Sequence, residues 1–494
     1  MHTSKQTPVW HGGPEVATFA NAMALAVGPL LQLALLPFFR IRLGAAGLGL
    51  YGLLVVSWGL LSAFEAVVGP GLQRRIARSG RSDATRSIAS GIERAAWIVV
   101  ALTIIGSAAL SWYAPQITFG SSSASVPVLV LAGAIVARLP ALLYGILLTA
   151  LRVPMQLAAW RVAGEVLRIV GAALALYMTS GSVTGFIGWQ GIAVGLQAAA
   201  GAMLLRRLCP RSRRTTSAPV STPPLHIRSA VIVALPVLLG LILAQIDRLA
   251  LAIAGAWIPL GQYTLAFMLA GVQLFLSTAA VAVMAPHVAA MTGSATDSLA
   301  RIPANLIRRV GLIVGINCGV FAGAATGVAG ELLQWFGEAA DPATIVLLVA
   351  ALWAFAINAA VSYAFQLGIA AGEERRVLKF IAGVALPYAA AVTIAAAYAS
   401  AEYMALAWAA INLVWMIETS LIRGNERAAL MRSAIRSAIV GIGVGGIAGF
   451  GASWLVRAVH GPPADQWGMA VWLTGVLVVA AALNLATLAR QSSE

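Results

Sequence analysis

Apolar residues run along this chain in stretches of about 20, without the period-two alternation of half-buried strands or the one-sided stripe of surface helices. Fourteen such stretches fall at about 18–39, 47–69, 95–114, 126–149, 156–178, 183–204, 230–254, 263–285, 310–332, 343–369, 379–398, 403–422, 434–456 and 468–489. A hydrocarbon layer about 30 Å thick is crossed by roughly 20 helical residues at 1.5 Å each, so each stretch predicts one membrane-spanning helix. The polar N-terminus leads into an apolar stretch too long for the core of a signal peptide, and that stretch is expected to be retained as the first span. The fold class predicted is an all-α polytopic membrane protein of about 14 helices.

The basic residues test that count. With the N-terminus inside, 25 of the 32 Lys and Arg residues fall in alternate, inward-facing segments, three (Arg40, Arg42 and Arg457) in outward ones, and four (Arg138, Arg161, Arg168 and Arg248) within spans. Positive charge accumulates on cytoplasmic loops, and one missed span would invert every later loop, so the asymmetry predicts both termini in the cytoplasm. Outward loops are short, the longest around 459–467. No extracytoplasmic domain is available to hold catalytic acids or histidines, and an enzyme is not expected.

Composition narrows the class further. Of 494 residues, 60% are hydrophobic and only 10% charged, with a mean hydropathy of +0.89; soluble domains carry about a quarter charged residues. The net charge of +15 is read as a basic face lying on anionic membrane lipid rather than a nucleic-acid site, because no basic domain with interleaved aromatics is present. The lysines are Lys5 and Lys379, and neither follows a Gly-rich run nor precedes Ser or Thr, so no phosphate loop for ATP exists in the chain. Cys209, Cys318 and five scattered histidines offer no metal spacing. No cofactor and no metal are expected.

Two passages resemble each other. Leu48-Gly49-Leu50-Tyr51 opens the second span, and Leu260-Gly261-Gln262-Tyr263 stands at the start of the eighth; Pro70 and Pro286 each lead into a basic stretch. The offsets, 260 − 48 = 212 and 286 − 70 = 216, predict a duplicated six-span unit. Six is even, so the copies share an orientation and are related about the membrane normal. The organisation expected is a six-helix lobe over 1–205, a basic cytoplasmic linker over 206–228, a second six-helix lobe over 229–422, and an extra helix pair over 423–494.

The same residues carry a family resemblance. Arg40-x-Arg42-Leu43-Gly44 with Leu48-Gly49-x-Tyr51-Gly52, Gly69-Pro70-Gly71-Leu72, Arg75-x-Ala77, and Asp247-Arg248 with Leu260-Gly261-x-Tyr263 and Ala266 resemble the polysaccharide-export (Wzx-type) flippases. That family shares a superfamily with MATE-type multidrug exporters and the lipid II flippase. The acidic-Gly-Ala-Ser signature of the lipid II flippase is missing, since Glu65 is followed by Ala-Val-Val. The resemblance implies two six-helix lobes around a central cavity. It also implies transport of a polyprenyl-diphosphate-linked oligosaccharide, an O-antigen or exopolysaccharide repeat unit, across the bacterial inner membrane, beside polysaccharide polymerase machinery. Ion-coupled export of organic cations is the alternative on the same fold.

Charges within spans cost about 2.5–3.5 kcal/mol each at mid-helix and need a reason to be there. Arg161, Glu165 and Arg168 are spaced i, i+4, i+7 and rotate to one face of the fifth span, with Arg138 midway along the fourth. Such a strip either holds a diphosphate, through paired hydrogen bonds from guanidinium, or locks spans four and five by an internal Arg–Glu pair. Asp247 and Arg248, about 100° apart on their helix, are each expected to meet another span, in gating, in coupling to H⁺ or Na⁺, or as a latch, with Arg248 also counted among the substrate-binding arginines. Glu65 is weighed between coupling and an interfacial position, and Arg40 and Arg42 between snorkelling and receiving the diphosphate as it emerges. Trp58, Trp160, Trp257, Trp335, Trp408 and Trp415 are read as packing or interface anchors rather than as sugar platforms. Gly441, Gly445 and Gly449 are read as a small-residue packing face.

Overall fold

The computed structural model of the chain describes residues 14–79, 118–119, 122–123, 125–151, 153–208, 239–274, 304–370, 373–422 and 426–460, with isolated positions at 94, 101, 235 and 278 and between 476 and 484. The spans expected at 95–114 and over most of 468–489, the start of that at 230–254 and the end of that at 263–285 lie outside the described residues, as does the expected linker from 209 to 228.

The described chain is helical apart from strands β1 (Thr118–Phe119) and β2 (Ser122–Ser123), which pair antiparallel. The helices are α1 (Pro14–Ser79), α2 (Ser125–Ala150), α3 (Pro154–Met178), α4 (Val183–Leu208), α5 (Ile246–Ile253), α6 (Trp257–Gly271), α7 (Ala304–Gly327), α8 (Ala329–Trp335), α9 (Pro342–Ala370), α10 (Glu374–Ala397), α11 (Ala401–Leu421) and α12 (Glu426–His460). Eight helical stretches among the described residues are long and apolar enough to cross a membrane. Helix α3 is long enough but falls outside that set. Every 18-residue stretch of it contains Arg161, Glu165 and Arg168, so the charges that mark it as unusual also lower its apolarity.

Helix α1 is two helices joined by a reversal. Gly44 has φ 68° and ψ 177°, a left-handed conformation that a Cβ would disfavour. Gln32 Nε2 lies 2.9 Å from the Tyr51 hydroxyl, whereas a straight helix would hold residues 19 apart about 28 Å from one another. The chain therefore doubles back at Gly44 and packs its two arms, 14–43 and 45–79, side by side. Gly255, between α5 and α6, has nearly the same φ of 69°. The two Leu-Gly-x-Tyr segments following these glycines face one another. A Cβ on Gly49 would press on the Trp257 carbonyl, and one on Gly261 would press on that of Ala45. Glycine at both places is what permits backbone contact between the N-terminal and C-terminal halves.

Caps and prolines place the helix ends. Asp341 accepts from the Thr344 backbone N–H at 2.9 Å and caps α9. That backbone bond and one from the Thr344 hydroxyl hold the Asp341 carboxyl below the usual carboxylate range. Ser400 caps α11 through the Tyr403 N–H. Pro154 occupies the first turn of α3, where no N–H is needed. Turns at 44, 181 and 337 gather at one end of the bundle, where the Gly181 Cα side meets the Arg42 carbonyl and Gly337 meets Ile41. Gly441, Gly445 and Gly449 of α12 pack backbone-to-backbone on α7, a helix of the second half, against Gly315 and Val320.

Candidate functional site

Two cavities meet at the inner face of the first α1 arm, and Pro29 and Gln32 line both. The smaller, about 380 Å³, lies within the N-terminal half, and Arg138, Arg161, Glu165 and Arg168 all line it. The structure thus brings together on one cavity the four ionisable residues singled out in the fourth and fifth spans.

Arg168 is the most enclosed of them, with 8% of its surface exposed. Its guanidinium pairs with Glu165 one turn earlier, Nε to Oε2 at 3.1 Å, and its Nη1 donates to Gln190 Oε1 on α4 at 3.2 Å. It also reaches the Tyr51 hydroxyl on α1. Three helices therefore fix one guanidinium. Glu165 lies against the backbone of Gly28, where a Cβ would collide with its carboxylate.

Trp58 extends this arrangement. Its indole N–H donates to the Ala134 carbonyl of α2 at 3.1 Å, and its ring faces two guanidinium carbons, Arg138 at 5.5 Å and Arg168 at 5.4 Å. Both lie within cation–π range. The expectation for Trp58 as a simple packing or interface anchor is incomplete, because the ring organises the two arginines. The α3–α4 contact beneath is held by indoles as well, Trp160 to the Gln197 carbonyl at 2.8 Å and Trp189 to the Leu167 carbonyl at 3.0 Å.

The larger cavity, about 830 Å³, lies between the halves and is lined mostly by the C-terminal one. Arg248 lines it, donating to Gln245 Oε1 at 3.0 Å and lying 5.2 Å from the centre of the Phe267 ring. Asp247 sits behind, fully buried, bonded to the Tyr263 hydroxyl and to the Arg248 backbone N–H at 2.7 Å. Asp247 meets another helix through Tyr263, as the 100° separation required. Arg248 finds its side-chain acceptor within its own turn and only a ring on the next helix. Tyr51 and Tyr263, the equivalent members of the two Leu-Gly-x-Tyr segments, thus each bind a polar residue of the preceding span.

Arg40 and Arg42 are apart from both cavities. Arg40 Nε bonds Glu338 Oε2 at 2.7 Å, and Gln262 Nε2 reaches Glu338 Oε1 at 3.1 Å. This ion pair joins the turn of the first half to the loop after α8. Glu338 was not anticipated from the sequence; an acid in a short outward loop was its only signal. Arg42 is exposed, with Phe38 and Tyr177 rings at 5.7 and 5.9 Å. Glu65 falls on α1, and its side chain lies outside the described residues. Among the described residues no group of three or more His, Cys, Asp or Glu side chains is gathered as for a metal ion.

No protein-family model and no curated protein matches the sequence. Solved structures do match in fold. The lipid II flippase MurJ in an inward closed conformation is similar with a TM-score of 0.61 at 12% identity, covering 97% of this chain and 99% of that one. The MATE multidrug transporter DinF-BH, in a ligand complex, is similar with a TM-score of 0.52 at 14% identity, over 85% and 98%. An outward-facing multidrug resistance MATE transporter of the MOP superfamily matches with a TM-score of 0.52 at 14% identity, over 91% and 97%. These are transporters, and with the apolar helices they make this chain a multi-pass membrane protein of transporter fold.

Proposed function

We propose, for a chain that carries the fold of the MOP-superfamily transporters, that it is a flippase for a polyprenyl-diphosphate-linked oligosaccharide, a surface-polysaccharide repeat unit. In this reading it works by alternating access in the bacterial inner membrane. The observation that carries this reading is the convergence of three guanidiniums and one carboxylate, among the described lining residues, on one cavity. Arginine forks match the paired oxygens of a diphosphate, and a low-dielectric wall strengthens such charge-assisted bonds. Glu165 holds Arg168 ready before substrate arrives, and Arg138 is held beside it over Trp58. The prenyl tail stays in lipid while the head group crosses.

Two negative charges leaving a negative interior release roughly 4.6 kcal/mol per 100 mV, twice the value for one charge. Glu165, Asp247 and Glu65 are the groups proposed to couple resetting of the empty carrier to H⁺ or Na⁺. In this reading the Arg40–Glu338 pair is a latch, and its opening releases Arg40, next to Arg42, to meet the departing diphosphate. Flipping of a fluorescent polyprenyl-diphosphate oligosaccharide in proteoliposomes tests the proposal: wild-type protein flips it and Arg168→Ala does not. Flipping by well-inserted Arg168→Ala at the wild-type rate refutes the arginine assignment.

The second reading is ion-coupled export of organic cations, which the same fold serves equally. The buried carboxylate of Asp247 beside an aromatic cavity is the observation in its favour. Transport of cationic dyes by the same proteoliposomes, with no movement of the lipid-linked glycan, would select it.

A further inference from the structure

The larger cavity has a chemistry of its own. Phe355, Phe365, Trp408 and Trp415 line one side, with ring centres 6.2–6.5 Å apart between Trp415 and Phe365, between Trp408 and Phe355, and between Trp408 and Trp415. Among these rings stand uncharged polar groups. Asn358 lines the cavity and is oriented by α11, its Nδ2 donating to Asn412 Oδ1 at 2.6 Å while Asn412 Nδ2 is anchored on the Trp408 carbonyl at 2.7 Å. Ser362, one turn on, bonds Asn358 at 3.4 Å.

Three lining residues also hold buried polar atoms without a protein partner: the Trp408 indole N–H, the Thr264 hydroxyl and the Arg248 Nε. Trp408 is only 4% exposed. A buried polar atom left unpaired is costly, so each of the three gains from a partner that a small side-chain rotation toward the cavity would bring within reach. The described lining contains no carboxylate and does contain the guanidinium of Arg248, a charge balance that disfavours an organic cation. Flat apolar faces combined with neutral amides, hydroxyls and unpaired donors suit a molecule that is apolar on its faces and polar at its edge. The volume, about 830 Å³, lies within the range of ligand sites, roughly 300–1,000 Å³.

We infer that this cavity is a glycosyl subsite, in which a pyranose ring stacks on the Trp408–Trp415 wall and its hydroxyls meet Asn358, Thr264 and the Trp408 indole N–H. The inference rests on the diphosphate reading of the smaller cavity and deepens it: Gln32, shared by both cavities, marks where diphosphate gives way to sugar. Head-group recognition is then divided between the two halves of the chain.

The test is equilibrium binding to the full-length protein in nanodiscs, using farnesyl diphosphate and farnesyl-diphosphoryl glucose, galactose and N-acetylglucosamine as probes. At least one glycosyl probe is expected to bind tenfold or more tighter than farnesyl diphosphate. Trp408→Leu should reduce that advantage to under twofold without moving the farnesyl diphosphate Kd, and Trp408→Phe should keep part of it. Gln366→Ala changes an exposed lining residue that packing does not need, and should lower the glycosyl advantage severalfold. It decides the matter if Trp408→Leu does not yield folded protein. Equal affinity for all four probes, or a Trp408→Leu loss shared equally by all four, overturns the glycosyl subsite and leaves the diphosphate reading standing. Binding of none of the probes overturns both.

Discussion

The two cavities share a wall yet are built from opposite materials. On the N-terminal side the side chains that matter are charged and preassembled: Arg168 is bonded to Glu165 and Gln190 and faces Trp58. On the C-terminal side they are mostly rings and neutral amides beside one guanidinium, Arg248, and the acid, Asp247, is turned away into Tyr263. The difference follows from what burial costs. A charge inside a membrane protein must be held by several partners at once, which uses up a helix face. Rings cost nothing to bury, and amides cost little once hydrogen-bonded, as Asn358 and Asn412 are, so both can line a wide space.

The largest expected effect breaks the comparison at its charged side. Arg168→Ala abolishes flipping in proteoliposomes, and Arg168→Lys restores only a minor part, because an ammonium cannot span Glu165, Gln190 and a phosphate as a fork does. A Lys variant of wild-type activity would show that charge alone suffices there. Next, Asp247→Asn keeps probe binding but makes flux insensitive to an imposed H⁺ or Na⁺ gradient. Unchanged gradient dependence would return Asp247 to a packing role with Tyr263.

A third measurement asks whether the halves are tied at the turn end. Arg40→Ala and Glu338→Gln each lower the melting temperature, and the double variant loses less than the sum, with a coupling of about 0.5–3 kcal/mol for a pair so enclosed. Additive losses would mean the pair is incidental. The smallest effect is at Arg457, whose side chain is 40% exposed where it meets Glu331: Arg457→Ala costs under about 1 kcal/mol and leaves flipping intact.

Much of the charged cavity was legible along the chain, because 161, 165 and 168 lie on one helical face whatever that helix packs against. The resemblance between Leu48–Tyr51 and Leu260–Tyr263 was legible too; that the two segments touch, glycine to backbone, was not. Glu338 and Arg40 are 298 residues apart, and no local pattern pairs an acid in one loop with a base in another. Trp58 and Trp408 read as anchors, since a tryptophan in an apolar run has the same sequence signature whether it packs, anchors at the interface or lines a cavity.

By itself the sequence determined that the chain crosses a membrane many times, which stretches are apolar enough to do so, and where along them the charges lie. Those properties are sums over neighbouring residues: hydropathy over about 20 positions and rotation of about 100° per residue. The tertiary structure alone decided which faces converge. It set Arg138 and Arg168 on the same indole, put Gln32 between a charged and an aromatic space, and joined Arg40 to Glu338. Convergence depends on where helices distant in sequence come to rest, and helices of similar apolarity pack by shape and by the few polar partners each offers, which hydropathy does not encode.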